Sequence, residues 1–120
     1  MSYNDQIQRI IDDSDVALFM KGTPSAIMCG NSERALSALR RAGAPITAVD
    51  VLVDMRIRED LSAISGWPTI PQVFVKGELV GGADIVEELE RTGELEQTLV
   101  ARLGENYSEQ RDEQTVNLEG

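Results

Sequence analysis

Residues 15–54, "DVALFMKGTPSAIMCGNSERALSALRRAGAPITAVDVLVD", decide the fold. The stretch opens on an unbroken apolar run that closes at Gly22. A strand covered on both faces needs no polar alternation, so residues 15–22 read as a buried strand. From Cys29 onward, Ala35, Leu36, Leu39 and Ala42 keep helical spacing until Gly43, which supplies a C-terminal stop. Residues 45–54 are rich in β-branched side chains and form a second strand. Strand–helix–strand implies parallel pairing through a right-handed crossover.

The flanks extend that unit. Upstream, Ile7, Ile10 and Ile11 make one apolar helical stripe. Downstream, Ile57, Leu61 and Ile64 give a third helix. Val73, Phe74 and Val75, a turn at Lys76 and Gly77, then Leu79 and Val80 read as a hairpin, whose short turn forces antiparallel pairing. Ile85, Val86 and Leu89 form a helix that breaks at Gly93, and Leu95, Leu99 and Leu103 form the next. The order α-β-α-β-α-β-β-α-α predicts an α/β fold: a four-stranded mixed sheet, a parallel βαβ unit plus an antiparallel hairpin, with helices on both faces. Residues 1–103 form the domain. Residues 104–120 carry five acids against Arg111 and read as an acidic, flexible C-terminal tail.

Composition narrows the function. The chain has 120 residues, 42% of them hydrophobic, enough for a core without disulfides or metals. Its formal charge is −10 and no basic stripe interrupts it, so nucleic acid is not an expected partner. A basic patch followed by an apolar run is absent at the N-terminus, and no stretch of membrane-spanning length occurs, so neither a signal peptide nor a membrane is expected. One cysteine cannot form an internal disulfide, which fits a reducing, cytoplasmic address. With no histidine and one cysteine, a zinc site is not expected either.

That cysteine, Cys29, has two readings. Free cysteine is among the most buried residue types and packs as an inert hydrophobe. Cys29, however, sits where a loop gives way to a helix. Unsatisfied N–H donors and the positive end of the helix dipole stabilise a thiolate there, and the thiolate is the reactive form. Gly30 permits close approach of a partner, Ser32 can cap or solvate the sulfur, and Lys21 adds positive charge at the end of the preceding strand. Two further motifs are ambiguous alone. "WPTIP" (67–71) is a rigid extended turn before a strand. In "VGGADIVEEL" (80–89), Asp84 is either a first-turn carboxylate favoured by the dipole or an acceptor for a ligand's ammonium. In the second case the N–H groups of residues 82–84 bind the neighbouring carboxylate.

Taken together, "KGTPSAIMCGNS" followed by "WPTIPQVFVKGELVGGADIVEEL" resembles a monothiol glutaredoxin, a member of the thioredoxin-like superfamily. That family reads Lys-Gly-(Ser/Thr)-Pro…Cys-Gly-Phe-Ser, then Trp-Pro-Thr-x-Pro-Gln and Gly-Gly-x-Asp. The resemblance covers residues 4–103. It departs at Asn31, where the family has phenylalanine, at Ile27, where it has proline, and at Ala63 and Ile64, where relatives carry Lys-Tyr. It implies the thioredoxin-like fold with Cys29 as the catalytic thiol. It implies a cis Ile70–Pro71 bond opposite the thiol, so that the backbone of Ile70 pairs with the cysteinyl backbone of glutathione or a related γ-glutamyl thiol. The rest of that small-molecule thiol's site is Thr69, Pro71, Gly82, Ala83 and Asp84, with Lys21 and Arg58, rather than Arg56, holding the glycyl carboxylate. Gly30, Asn31, Ser32 and Trp67 modulate the site.

In a two-cysteine Cys-x-x-Cys site the second thiol resolves a mixed disulfide; here Ser32 holds that position and cannot, so thiol exchange must be monothiol. A 2Fe–2S cluster takes four thiolates and one chain supplies Cys29 alone. The resemblance implies that two chains and two glutathiones complete the set, giving a homodimer with cluster, a monomer without it, and iron–sulfur acceptor proteins as partners. Three readings stay open: a glutaredoxin that carries a cluster for iron–sulfur transfer and redox homeostasis, with weak monothiol oxidoreductase activity; a glutathione-dependent reductase of mixed disulfides; and a thioredoxin-fold binding module that has lost activity.

Overall fold

A computed structural model describes residues 2–120. Thirteen elements follow one another: α1 (Tyr3–Asp13), β1 (Val16–Met20), β2 (Gly22–Thr23), β3 (Ala26–Ile27), α2 (Gly30–Arg41), β4 (Ile46–Asp50), α3 (Met55–Ser65), β5 (Gln72–Val75), β6 (Glu78–Gly81), α4 (Ala83–Thr92), α5 (Glu94–Leu103), a 3₁₀ turn (Tyr107–Gln110) and β7 (Glu113–Thr115). The main sheet has the order β6-β5-β1-β4-β7. β1 runs parallel to β4 and antiparallel to β5, and β5 and β6 form the expected hairpin over Lys76 and Gly77.

β1 shows why its sequence carries no alternation. Val16, Leu18 and Met20 pack into one core layer with Leu36, Leu39, Val86, Leu95 and Leu99. Ala17 and Phe19 pack into the opposite layer with Ile7, Ile11, Ile57, Leu61 and Phe74. Both faces of the strand are covered, so both sets of side chains must be apolar. Phe19 and Phe74 meet edge to face at 5.7 Å across the sheet pairing.

Two features differ from the sequence reading. The sheet has five strands rather than four, because residues 113–115 add β7 in parallel along β4. All three β7 side chains are exposed and polar, so no apolar alternation marks the strand. Backbone bonds and anchors on either side hold it. The Ile46 N–H donates to the Asp112 carbonyl at 2.8 Å and the Val116 N–H to the Ala48 carbonyl at 2.9 Å. Arg40 grips Glu113 at 2.7 Å through two nitrogens. Tyr107 Oη donates to the Ala42 carbonyl at 2.6 Å, and Leu118 is buried against the α1–α3 layer. The segment read as a tail is thus tied to the domain at Tyr107, along residues 112–116 and at Leu118, while most of its side chains stay exposed.

The second difference is the small β2–β3 hairpin, read from sequence only as a loop. Gly22 makes it possible: its φ is +90°, and a Cβ there would collide with the backbone of Ala26 and Met28. The hairpin folds the chain back so that the Met28 N–H reaches the Lys21 carbonyl at 3.0 Å. This return sets Cys29 beside the end of β1. Among the described residues no helix is long and apolar enough to cross a membrane.

Candidate functional site

Cys29 is the residue immediately before α2, with extended backbone (φ −157°, ψ 132°), and is partly exposed. Its neighbour Ser32 is fully buried and ties the site together: Ser32 Oγ accepts from the Lys21 N–H at 3.0 Å. With its acceptor side engaged, the hydroxyl proton is free to face the sulfur. The thiol is held below its ordinary range, first by the backbone N–H of Ser32, with help from the N–H of Asn31, the Ser32 hydroxyl and the charge of Lys21. Partial burial opposes the shift without cancelling it. The N–H groups pull on the sulfur electrostatically without any side chain closing a cap bond on α2.

A cleft of about 380 Å³ opens beside α2. Asn31, Trp67, Thr69, Ile70, Pro71, Gly82, Ala83, Asp84 and Ile85 line it. The Ile70–Pro71 bond is cis, as the resemblance implied. The loop that carries it is braced from below by Gln72, whose fully buried amide donates to the carbonyls of Trp67 (2.9 Å) and Thr69 (3.2 Å). Gly82 precedes α4 with no capping side chain. A Cβ on Gly82 would lie 3.3 Å from the Pro71 carbonyl oxygen and 3.4 Å from Trp67 Nε1. Glycine therefore lets α4 start hard against the proline loop. Trp67 Nε1 and Gln72 Oε1 are buried here without a hydrogen-bond partner.

The structure thus brings most of the anticipated residues into one place. Lys21, Cys29, Gly30, Ser32 and Arg58 stand outside the cleft lining, and Cys29 adjoins it through Asn31, two residues on. Lys21 reaches the site through its field on Cys29. Arg58, on α3, lines a separate apolar groove with Val51, Leu52, Met55, Glu59 and Ser62, and makes no ion pair among the described residues. Arg56 is committed elsewhere: it pairs with Asp54 at 2.7 Å and lies over the Tyr3 ring at 5.1 Å. Gly30 is open, with nothing near the position of a Cβ.

Sequence reasoning missed Ile85, Arg34 and Glu87. Arg34 Nη2 donates to Asp84 Oδ1 at 2.7 Å and to Glu87 Oε1 at 2.8 Å, while its Nη1 donates to Asn31 Oδ1 at 3.1 Å. A signal existed. Asn31 and Arg34, like Asp84 and Glu87, are three apart on helices and so share a face.

Comparison with known proteins agrees with the fold. Residues 16–80 match the family model described as glutaredoxin. The chain belongs to the glutaredoxin family. It is 48% identical over 98 residues to monothiol glutaredoxin-S11 of Oryza sativa, an alignment that takes in 82% of this chain and 20% of the rice protein. It is 42% identical over 106 residues to glutaredoxin 4 of Pasteurella multocida, covering 88% of this chain and 96% of that one. The chain spans between a fifth and about half of the plant relatives it matches. Among solved structures, a monomeric truncated mutant of Trypanosoma brucei 1-C-Grx1 superposes with a TM-score of 0.76 at 39% identity, over 84% of this chain and 92% of that one. With Cys29 as the only thiol and Ser32 three residues on, this is a monothiol glutaredoxin fold of the thioredoxin-like type.

Proposed function

We propose that this chain binds glutathione, or a related γ-glutamyl thiol, in the cleft beside Cys29 and uses that complex to carry a 2Fe–2S cluster as cargo between proteins. The observation that carries the reading is a thiol held below its ordinary range two residues before Asn31, which lines a cleft walled by the proline loop and the open start of α4. In this reading the ligand's sulfur meets Cys29, its backbone runs along Thr69, Ile70 and Pro71, and its glutamyl end sits on Gly82, Ala83 and Asp84. Lys21 and Arg58 serve the glycyl carboxylate.

The donor set of one chain fits a share of a cluster and no more. Cys29 is one thiolate of the four required, and among the described residues no group of three or more His, Cys, Asp or Glu could hold a metal. Two copies and two bound thiols satisfy the count, so loading depends on protein and thiol concentration together. The bound cluster would supply iron and sulfide for transfer, and Cys29 would anchor it. The protein is then a monomer without cargo and a homodimer with it, acting in a reducing compartment on iron–sulfur acceptor proteins.

Asn31 favours a second activity at the same site. A polar side chain held by Arg34 stands where an aromatic would shield the sulfur, and a wetter thiol suits exchange. The Cys29 thiolate attacks the glutathione sulfur of a protein–glutathione disulfide, the S–S bond breaks, and the protein thiolate leaves and takes a proton. A second glutathione thiolate then attacks the sulfur held on Cys29, releasing glutathione disulfide and the Cys29 thiolate. Anaerobic addition of iron, sulfide and glutathione should give a brown dimer with visible absorption. A colourless monomer that still reduces glutathionylated peptide would overturn the cargo reading in favour of the reductase, and a chain that neither colours nor turns over would leave only a binding module.

A further inference from the structure

We infer that Arg34 is a specificity-determining residue: its guanidinium reads the α-carboxylate of the γ-glutamyl end, so that the cleft favours a zwitterionic amino-acid terminus over one whose carboxylate is masked. The inference rests on the thiol-binding reading above.

The α2–α4 wall carries the argument. Guanidinium has five N–H donors in a fixed plane. In Arg34, Nε donates to Glu87 Oε2 at 3.2 Å, Nη2 donates both to Glu87 Oε1 and to Asp84 Oδ1, and one Nη1 hydrogen goes to Asn31. One N–H is left over. It is on Nη1, the nitrogen that touches Asn31, and both Asn31 and Asp84 line the cleft. A charged donor with no partner among the described residues therefore stands behind Asn31 and Asp84, and Arg34 reaches the glutamyl end of the cleft through these two lining residues.

The charge balance points the same way. Asp84 and Glu87 are two carboxylates against one guanidinium, which leaves a single negative charge for an ammonium to match. The charge of Arg41 also reaches Glu87, but Arg41 is itself matched by Glu90 at 2.6 Å, so the pair adds no net charge to the cluster. An ammonium reaching Asp84 alone comes close to the guanidinium and is repelled by it. A carboxylate on the same carbon offsets that repulsion and takes the spare N–H. Glu87 holds Arg34 through two bonds while Asp84 is shared, so the guanidinium stays in place as the ligand arrives. Without Arg34, Asp84, whose side chain is 91% exposed, has no partner to fix its rotamer.

The test is a ratio. Calorimetry would give the affinity of the full chain for glutathione and for glutathione whose glutamyl α-carboxylate is converted to the carboxamide. The native protein should prefer glutathione, and Arg34→Gln should shrink that preference by about fivefold, the scale of a solvent-screened ion pair. Arg34→Lys, which keeps charge and bulk but can engage only part of the network, should fall between. If Arg34→Gln weakens both ligands equally, leaving the ratio unchanged, Arg34 merely holds α2 against α4 and the inference falls while thiol binding stands. If the native protein binds neither ligand, the thiol-binding reading fails and takes the inference with it.

Discussion

The two helix layers close their first turns in different ways. On one face of the sheet, α1 and α3 are capped by their own side chains: Ser2 Oγ accepts from the Asp5 N–H at 3.2 Å, and Asp54 Oδ1 accepts from the Arg56 N–H at 2.9 Å. On the other face, α2 starts at Cys29 and α4 at Gly82, and neither has a side-chain cap. α5 also lacks one, but its preceding residue, Gly93, is the one that ends α4. Every helix start presents orphan N–H donors and a positive dipole end. The α1–α3 layer satisfies one donor at each start with its own side chain. The α2–α4 layer leaves them facing a thiol and a cleft, where a thiolate and a carboxylate are the anions that fit. In the reading proposed above, the uncapped starts of α2 and α4 are where the ligand's anions bind.

The largest effect should come from Cys29→Ser. It removes the nucleophile, so thiol transfer and any iron loading are abolished. It also places a hydroxyl where N-cap residues are favoured, and stability should stay level or rise by up to about 1 kcal/mol. Turnover on a glutathionylated peptide and a urea melt check the two halves. Residual turnover, or a clear loss of stability, would break the contrast between a layer built for chemistry and one built for packing.

Leu118→Ala probes the opposite layer. Leu118 is 7% exposed and packs with Tyr3, Ile7, Ile11 and Ile57. Truncation should cost about 2 kcal/mol, the lower end for a buried leucine because the site lies at the edge of the core. Alkylation of Cys29 should be unchanged in rate and pH midpoint. Were the thiol's reactivity to move with stability, the two layers would be coupled and the division between them false.

These two residues also show how far the sequence can be read. Cys29 was legible because a lone thiol at a strand–loop–helix junction carries its own physical rationale, and the flanking motifs supplied the cleft. The central strands were legible because burial on both faces forces unbroken apolar runs. β7 was not, since Glu113, Gln114 and Thr115 are polar and exposed, and their partners Arg40 and Thr47 lie more than sixty residues away in the chain. Arg34 was missed for a related reason. Its partners Asp84 and Glu87 lie fifty or more residues away in the chain, and only the packing of α2 on α4 brings them within reach.

Gly82→Ser asks whether the open start of α4 is there for a ligand. A serine could cap the helix and satisfy an N–H that the ligand's carboxylate would otherwise use. Its Cβ would also press on the Pro71 carbonyl at 3.3 Å. Glutathione affinity should fall about tenfold, the worth of one hydrogen bond to a charged group. The cap and the crowding act in opposite directions on stability, so the melting midpoint should move little. Unchanged affinity would show that the carboxylate is held elsewhere.

The smallest effect concerns pH and separates the backbone's share of thiol activation from the side chain's. In the folded protein the Cys29 thiol titrates below its ordinary value, so alkylation should already be fast at pH values where a free thiol is largely protonated. The linked stability has a definite sign. Between the lowered folded value and the ordinary unfolded one, the unfolded chain binds more protons, so stability relative to Cys29→Ala rises with pH across that window. It is fully present above the unfolded value and lost as pH falls through the folded one. Ser32→Ala deletes the hydroxyl but keeps the Ser32 N–H, the largest contributor, along with the Asn31 N–H and Lys21. The alkylation midpoint should therefore rise only part of the way towards an ordinary thiol. The substitution also strands the Lys21 N–H, at a cost of about 1–3 kcal/mol, which is why the midpoint and not the rate is the readout. A midpoint restored fully to the ordinary value would assign the activation to the serine hydroxyl, and the uncapped start of α2 would lose its claim to the chemistry.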